Sequence, residues 1–342
     1  MATNGNPFYY GGAVEPRYFV GRRKELARVF AALNQLPAGQ PQHVNIYGEK
    51  RIGKSSLLKR IQQDGRSHPD LQAHAFLYCD AAGIESREAF FRMILRELGG
   101  EPDGASLEDA AKEALRAQPH LPVCLLDELG AWVKRPDRFP DDFYDQLRSW
   151  MSTGLWAMVV VSPLPVAELS KGSPLVSSFF NIFGTHIALG PWNEAEADEL
   201  LARAAQHDRP FTNEETAWLK RWARHGKGYH PAKLQLAARE LFEAKARPPV
   251  DLDALAERLE RTWEKIAPPP SKAAGLKRAA RAVLAWPRPL GRAVAEMLGR
   301  QTSPSTQTIV GWVVLLFLLA AVAGWMPLER VVMWAKTLLG MP

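Results

Sequence analysis

Cysteine is nearly absent from this chain of 342 residues: Cys79 and Cys124 are the two that occur, each inside an apolar, strand-like run. So few thiols exclude a disulfide scaffold and a cysteine-ligated metal centre, and they suit a reducing compartment. None of the eight histidines stands at ligand spacing, and no Ser/His/Asp or Cys/His grouping suggests a nucleophilic hydrolase. No secretory signal opens the sequence. Positive charge is also lacking where most of the chain lies. Residues 1–267 carry a net charge of −1, which argues against a nucleic-acid-seeking surface, so no nucleic-acid partner is expected. Arginine, finally, does not occur between Arg148 and Arg203.

Against these absences stands one complete pattern. Residues 48–56 read Gly48-Glu49-Lys50-Arg51-Ile52-Gly53-Lys54-Ser55-Ser56, a full match to the phosphate-binding loop G-x-x-x-x-G-K-[ST]. Gly48 and Gly53 allow the backbone to curl until its N–H groups face a β-phosphate. Lys54 brings positive charge to the β- and γ-phosphates, and the Ser55 hydroxyl is placed for Mg²⁺. The apolar/polar alternation of His43–Tyr47 reads as a strand, and Ser56–Ile61 opens a helical pattern whose dipole adds to the anion site. A nucleotide fold of this kind also needs a carboxylate at the end of a neighbouring strand. Leu121–Glu128 is such an apolar run, ending in Asp127 and Glu128, 73 and 74 residues after Lys54. Asp127 is expected to hold the hydration shell of Mg²⁺ and Glu128 to polarise the attacking water. Taken alone, the two acids read better as a buried strand followed by a solvated turn; the loop upstream decides for chemistry.

Strand-like segments at 43–47, 73–80, 122–127, 156–162 and 185–189 alternate with helical patterns near 86–98, 107–117 and 141–152. The alternation predicts an α/β fold with a five-stranded parallel P-loop NTPase sheet covered by flanking helices. Ser162 closes the fourth strand, where it either faces the γ-phosphate or turns the chain ahead of Pro163. From Trp192 the pattern changes. Asn193 and an acidic first turn begin a helix, and further helices are expected at 213–226, 231–245 and 251–266 with no strand between them. The expected division is a P-loop α/β domain (1–192), a small all-α lid domain (193–267), a basic juxtamembrane linker (268–307), a transmembrane helix (308–326) and a short far-side tail (327–342).

The tail supplies the second strong signal. Thr308–Met326 is 19 residues without a charge, about 28 Å as a helix and close to the ~30 Å hydrocarbon core of a bilayer. Trp312 and Trp325 stand near its ends, where indole rings settle at the interface. Residues 268–307 hold seven basic residues against Glu296, a surplus equal to the +6 of the whole chain. Such a flank is suited to anionic membrane lipid and is expected to place residues 1–307 on the cytoplasmic side of the membrane.

Phe19-Val20-Gly21-Arg22-Arg23-Lys24-Glu25-Leu26, preceded by Asn6–Gly12, resembles the opening of the bacterial STAND and AAA-type ATPases. Ser173-Pro174, the Phe179–Phe183 segment and Gly228-Tyr229-His230-Pro231 agree with that resemblance, which covers residues 6–265. It implies ATP with Mg²⁺ as cofactors and a base pocket formed by Val20, Gly21 and Arg22. It also implies contact with the nucleotide from the lid side by His230 and Pro231, although a packed histidine is an equal reading of His230. Ring-forming members place an arginine finger where this chain has Lys171 and no arginine, which favours a slowly hydrolysing switch over a cycling motor. The function this implies is a membrane-anchored STAND-type ATPase switch, possible as a homo-oligomer and acting on an unknown protein partner, with bacterial defence as one setting. An ATP-dependent adaptor or assembly factor for a membrane complex is the alternative, and a DNA-loading ATPase of the origin-recognition type the third.

Overall fold

Five short apolar runs pair into one parallel sheet: β1 (Val44–Gly48), β2 (Phe76–Asp80), β3 (Val123–Asp127), β4 (Ala157–Ser162) and β5 (Thr185–Leu189). Their order is β2-β3-β4-β1-β5, with every neighbouring pair parallel. The computed structural model describes residues 5–101, 106–169, 179–207 and 209–267. The expected linker, membrane span and tail, together with Lys171, Ser173 and Pro174, lie outside them. Residues 1–262 form one compact unit, and a second begins at Trp263.

β3 and β4 are buried at every position, as strands covered on both faces must be. Alternate residues serve opposite layers. Val123 and Leu125 join Val44, Ile46 and Val159 beneath α1 (Arg23–Leu33) and α2 (Lys54–Ser67). Cys124 and Leu126 face the other layer, with Cys79, Met158 and Val160. That layer is roofed by α3 (Arg87–Leu98), α4 (Leu107–Arg116), the short α5 (Gly130–Val133) and α6 (Asp141–Ser152). Its filling is aromatic: Phe90 meets Trp132 edge-on at 5.0 Å and Trp150 meets Trp156 at 5.5 Å. Phe179, Phe180 and Phe183 close the same cluster, after the short α7 (Val166–Leu169). Both cysteines are free and buried, and burial pushes the Cys124 thiol up to about 12, so they act as small core residues.

After β5 the chain turns helical through α8 (Glu194–Leu201), α9 (Asn213–Trp222), α10 (Pro231–Ala244) and α11 (Leu252–Ile266). Asn193 and Glu196 form a reciprocal capping box at the start of α8, and Thr212 and Glu215 form another at α9, each satisfying two otherwise orphaned N–H groups. One expectation needs correction. The helix read over 213–226 stops at Trp222, and a two-stranded hairpin follows, β6 (Arg224–His225) and β7 (Gly228–Tyr229). Gly226 adopts a φ of +56°, and a Cβ on Gly228 would lie 2.3 Å from the Trp192 carbonyl. That close approach lets Tyr229 and Trp192 exchange N–H···O bonds of 2.8 and 2.9 Å, tying the helical part to the exit of the sheet.

The same kind of close approach fixes α2 on the sheet, where a Cβ on Gly65 would lie 2.2 Å from the Phe76 ring. Alanine gains about 1 kcal/mol in helix propensity over glycine, and overpacking costs about 1–3 kcal/mol. Gly65→Ala is therefore expected to lower the denaturant midpoint; an unchanged or raised midpoint would show that α2 is free to slide off Phe76.

Candidate nucleotide-binding site

The loop between β1 and α2 is shaped by what its residues lack. At Gly48 a Cβ would lie 2.5 Å from the Leu189 carbonyl of β5, so the strand can leave the sheet there only as glycine. Gly53 has a φ of +103° at the start of α2, and Arg51 holds a left-handed φ of +64°. Lys54 Nζ donates to the Gly48 and Glu49 carbonyls at 2.9 and 2.8 Å. Burial lowers its pKa, while the charges of Glu128 and then Asp127 oppose that shift; the cation and the two acids thus converge. Ser55 lies in the first turn of α2, half-buried. Ser56 Oγ accepts from the Val14 N–H at 3.1 Å, so its contribution is to hold the N-terminal segment against the loop.

Asp127 is 4% exposed at the end of β3. Its Oδ1 accepts from the Glu128 N–H at 3.0 Å, and its Oδ2 accepts from the Tyr78 hydroxyl at 2.9 Å. Glu128 itself is exposed, with a φ of +56° that turns the chain sharply after the strand. Ser162 corrects the phosphate-facing reading. Its hydroxyl is fully buried, accepts from Asn45 Nδ2 at 3.0 Å and donates to the Leu164 carbonyl at 2.6 Å. It braces β1 against the turn after β4, and it does not line the cavity.

A cavity of about 300 Å³ opens over the loop. Lys50 to Ser56 form its floor and Glu128 one edge; Tyr10, Val20 and Trp192 make an apolar wall, and Pro231, Ala232 and Gln235 of α10 close it. The N-terminal segment is pinned to α10 by the Tyr9 N–H donating to Gln235 Oε1 at 3.0 Å. Arg22, 3% exposed, sends one guanidinium nitrogen to the carbonyls of Ile52 (3.1 Å) and Gly190 (2.6 Å) and another to Glu25 (3.3 Å). Its own N–H donates to Glu196 Oε1 at 2.7 Å. A guanidinium so engaged is structural and offers no finger to a neighbour. Gly21, at φ +65°, stands where a Cβ would meet Glu196 at 2.6 Å, and it shapes the pocket without lining it.

His230 does not reach the cavity. It caps α10, its Nδ1 accepting from the Lys233 N–H at 3.4 Å, and it hydrogen-bonds the backbone of Lys50. His225, whose ring is 5.4 Å away, meets Glu49 Oε2 at 2.9 Å. The hairpin and α10 therefore grip the phosphate loop from behind. Pro231 takes the first helical position beside them.

A family model of the AAA ATPase domain matches residues 18–283. The chain belongs to that family. No curated protein matches it. Among solved structures, the Aeropyrum pernix ORC2 protein superposes with a TM-score of 0.60 at 18% identity, covering 97% of this chain and 89% of that one. The A. pernix ORC1 protein in complex with DNA gives 0.54 at 15% identity, covering 96% and 85%. Drosophila ORC bound to DNA gives 0.52 at 14%, covering 95% and 80%. At such identities the likeness is one of fold.

The donor set of this AAA ATPase fits ATP and Mg²⁺. Lys54 and the loop backbone match a polyphosphate, and the aromatic wall matches a base. Among the described residues no group of three or more His, Cys, Asp and Glu forms a metal cage. Mg²⁺ needs none, since it keeps waters and takes one or two carboxylates plus phosphate oxygens. Ser55 and Asp127 would hold it, and the bound metal would neutralise charge on the phosphates. Glu128, exposed at the cavity edge, would be the residue to orient a water and take its proton. Nothing in the amino-acid order marks Tyr78, Trp192 or Gln235 as site residues, because each reaches the site through pairing of segments distant in the chain.

Burial pushes both His230 and His43 down to about 4, and each Nδ1 accepts from a backbone N–H, of Lys233 and of Met158. Both rings are thus held neutral. Between pH 6.5 and 4 the unfolded chain binds more protons than the folded one, so stability is full above 6.5 and falls as the pH drops through that window. The loss approaches about 3 kcal/mol for each ring. His230→Asn keeps a capping side chain and is expected to flatten the fall of melting temperature between pH 7 and 5; an unchanged slope would show that the fold does not hold the His230 ring below its ordinary value.

Proposed function

We propose that this AAA-type ATPase is a nucleotide-controlled switch, in which ATP with Mg²⁺ binds between the sheet and the helical lid and alters how the lid is docked. The observation that carries this is the shared ownership of one cavity by the phosphate loop, the N-terminal segment and α10, reinforced by the Glu49–His225 and Lys50–His230 contacts. A ligand that fills the cavity touches both sides at once, so its phosphate count biases their docking. Arg22 is committed within its own chain, and among the residues between Arg148 and Arg203 there is no arginine; both features favour slow hydrolysis over continuous cycling. The STAND-type assignment belongs to this reading, as do a homo-oligomer as the active form and a cytosolic protein partner. Anchoring by residues 308–326 beside the basic flank extends it, with output at a bilayer. Among the described residues no helix is long and apolar enough to cross a membrane, and the 308–326 run lies outside them.

A second reading, a DNA-loading ATPase, draws on the fold likeness to the ORC1 protein in complex with DNA. The net charge of −1 over residues 1–267 weighs against it, and a salt-sensitive gel shift would restore it.

The switch is tested with two variants. Lys54→Ala removes a charge-assisted contact and is expected to weaken ATP binding by about tenfold or more. Glu128→Gln is expected to keep ATP binding while hydrolysis falls by about 100-fold or more. In the Glu128→Gln protein, amide hydrogen exchange at β6–β7 and the first turn of α10 should be slower with ATP than with ADP. Equal protection by the two nucleotides would contradict the switch.

A further inference from the structure

We propose that Tyr78 is a positioning residue of the metal centre, acting through Asp127. The two residues come from adjacent strands. Tyr78 pairs in register with Leu125 of β3, so it stands diagonally across from Asp127 on the same face of the sheet, the face that carries α2. Its hydroxyl donates to Asp127 Oδ2 at 2.9 Å, while the Glu128 N–H occupies Oδ1 at 3.0 Å. One donor on each oxygen fixes the plane of the carboxylate. Each oxygen retains a lone pair for the hydration shell of Mg²⁺. Without the phenol, Asp127 keeps a single anchor, from the residue next to it in sequence, and is free to rotate about its side-chain bonds.

The surroundings favour a role beyond packing. The Tyr78 ring is half-buried against the core under α2, and on its outer side it faces a groove lined by Lys59, Gln62, Gln63 and Arg66. A phenylalanine would serve this packing equally well. What tyrosine adds is one hydroxyl, and that hydroxyl meets the residue expected to hold the metal. Partners one step removed from a metal commonly set its affinity because they fix the orientation of the group that binds it. The same bond steadies Glu128 indirectly. Asp127 Oδ1 accepts from the Glu128 N–H, so a rotating carboxylate would also release the left-handed turn at which Glu128 leaves the strand. The proposal holds whether or not the ATPase acts as a switch.

Tyr78→Phe tests it, with affinity for a fluorescent ATP analogue read across a Mg²⁺ titration and again in EDTA. The Mg²⁺ concentration for half-maximal enhancement of binding is expected to rise about tenfold, with the EDTA affinity unchanged. The same substitution in an Asp127→Asn background should then add nothing. An unchanged Mg²⁺ dependence in Tyr78→Phe would overturn the proposal, as would an equal loss of affinity with and without Mg²⁺. An effect undiminished by Asp127→Asn would also overturn it, since Tyr78 would then act on the fold and not on the carboxylate.

Discussion

The nucleotide site depends on one buried cation. Arg22 stands in a left-handed turn at the head of α1, and its guanidinium reaches Ile52 in the phosphate loop and Gly190 at the exit of β5. Its backbone N–H is held by Glu196 of α8. Three other stretches of chain are thereby fixed to one residue, two through its guanidinium and one through its backbone N–H. Burial alone would disfavour the charge, and it does lower the Arg22 pKa; Glu25 and Glu196 offset part of that cost. A buried guanidinium with its nitrogens hydrogen-bonded on several sides loses much when a partner is removed. The base pocket and the phosphate floor are therefore one construction.

Around that tie the site divides its labour by strand. β1 ends in the loop, where Gly48 gives the clearance and Lys54 the charge. β3 ends in two acids with opposite fates: Asp127 buried and doubly hydrogen-bonded, Glu128 exposed on a left-handed turn. β4 ends in Ser162, whose hydroxyl is consumed by Asn45 and Leu164. Its burial shows how a polar residue at a strand end can serve the fold as readily as the chemistry. The helical part then meets the loop from behind through His225 and His230, so a change at the phosphates has a short physical route to the lid.

Much of this was legible in the amino-acid order because it is local. The apolar runs coincide with β5 and fall within three residues of the other four strands at either end. A nine-residue loop with its own glycines and cation carries its chemistry wherever it is folded. Asn193 and its acidic first turn announced α8 for the same reason. The parts that stayed hidden are those fixed by distant pairing. Tyr9 and Gln235 are 226 residues apart, and Tyr78 meets Asp127 only through the register of two strands. The hairpin at 224–229 is silent in the sequence because two-residue strands have no periodicity. Arg22 was placed at the base pocket by resemblance, but its bonds to two carbonyls follow from the fold alone.

The most direct test is the ATP affinity of Arg22→Lys, measured by calorimetry on the purified chain. Lysine keeps the charge but lacks the planar fork needed to serve several partners at once. If Arg22 holds base pocket and phosphate floor together, affinity should fall by about tenfold or more while the aromatic core beneath α3 and α6 keeps its near-ultraviolet signature. An Arg22→Lys protein that binds ATP as tightly as the original would contradict the account.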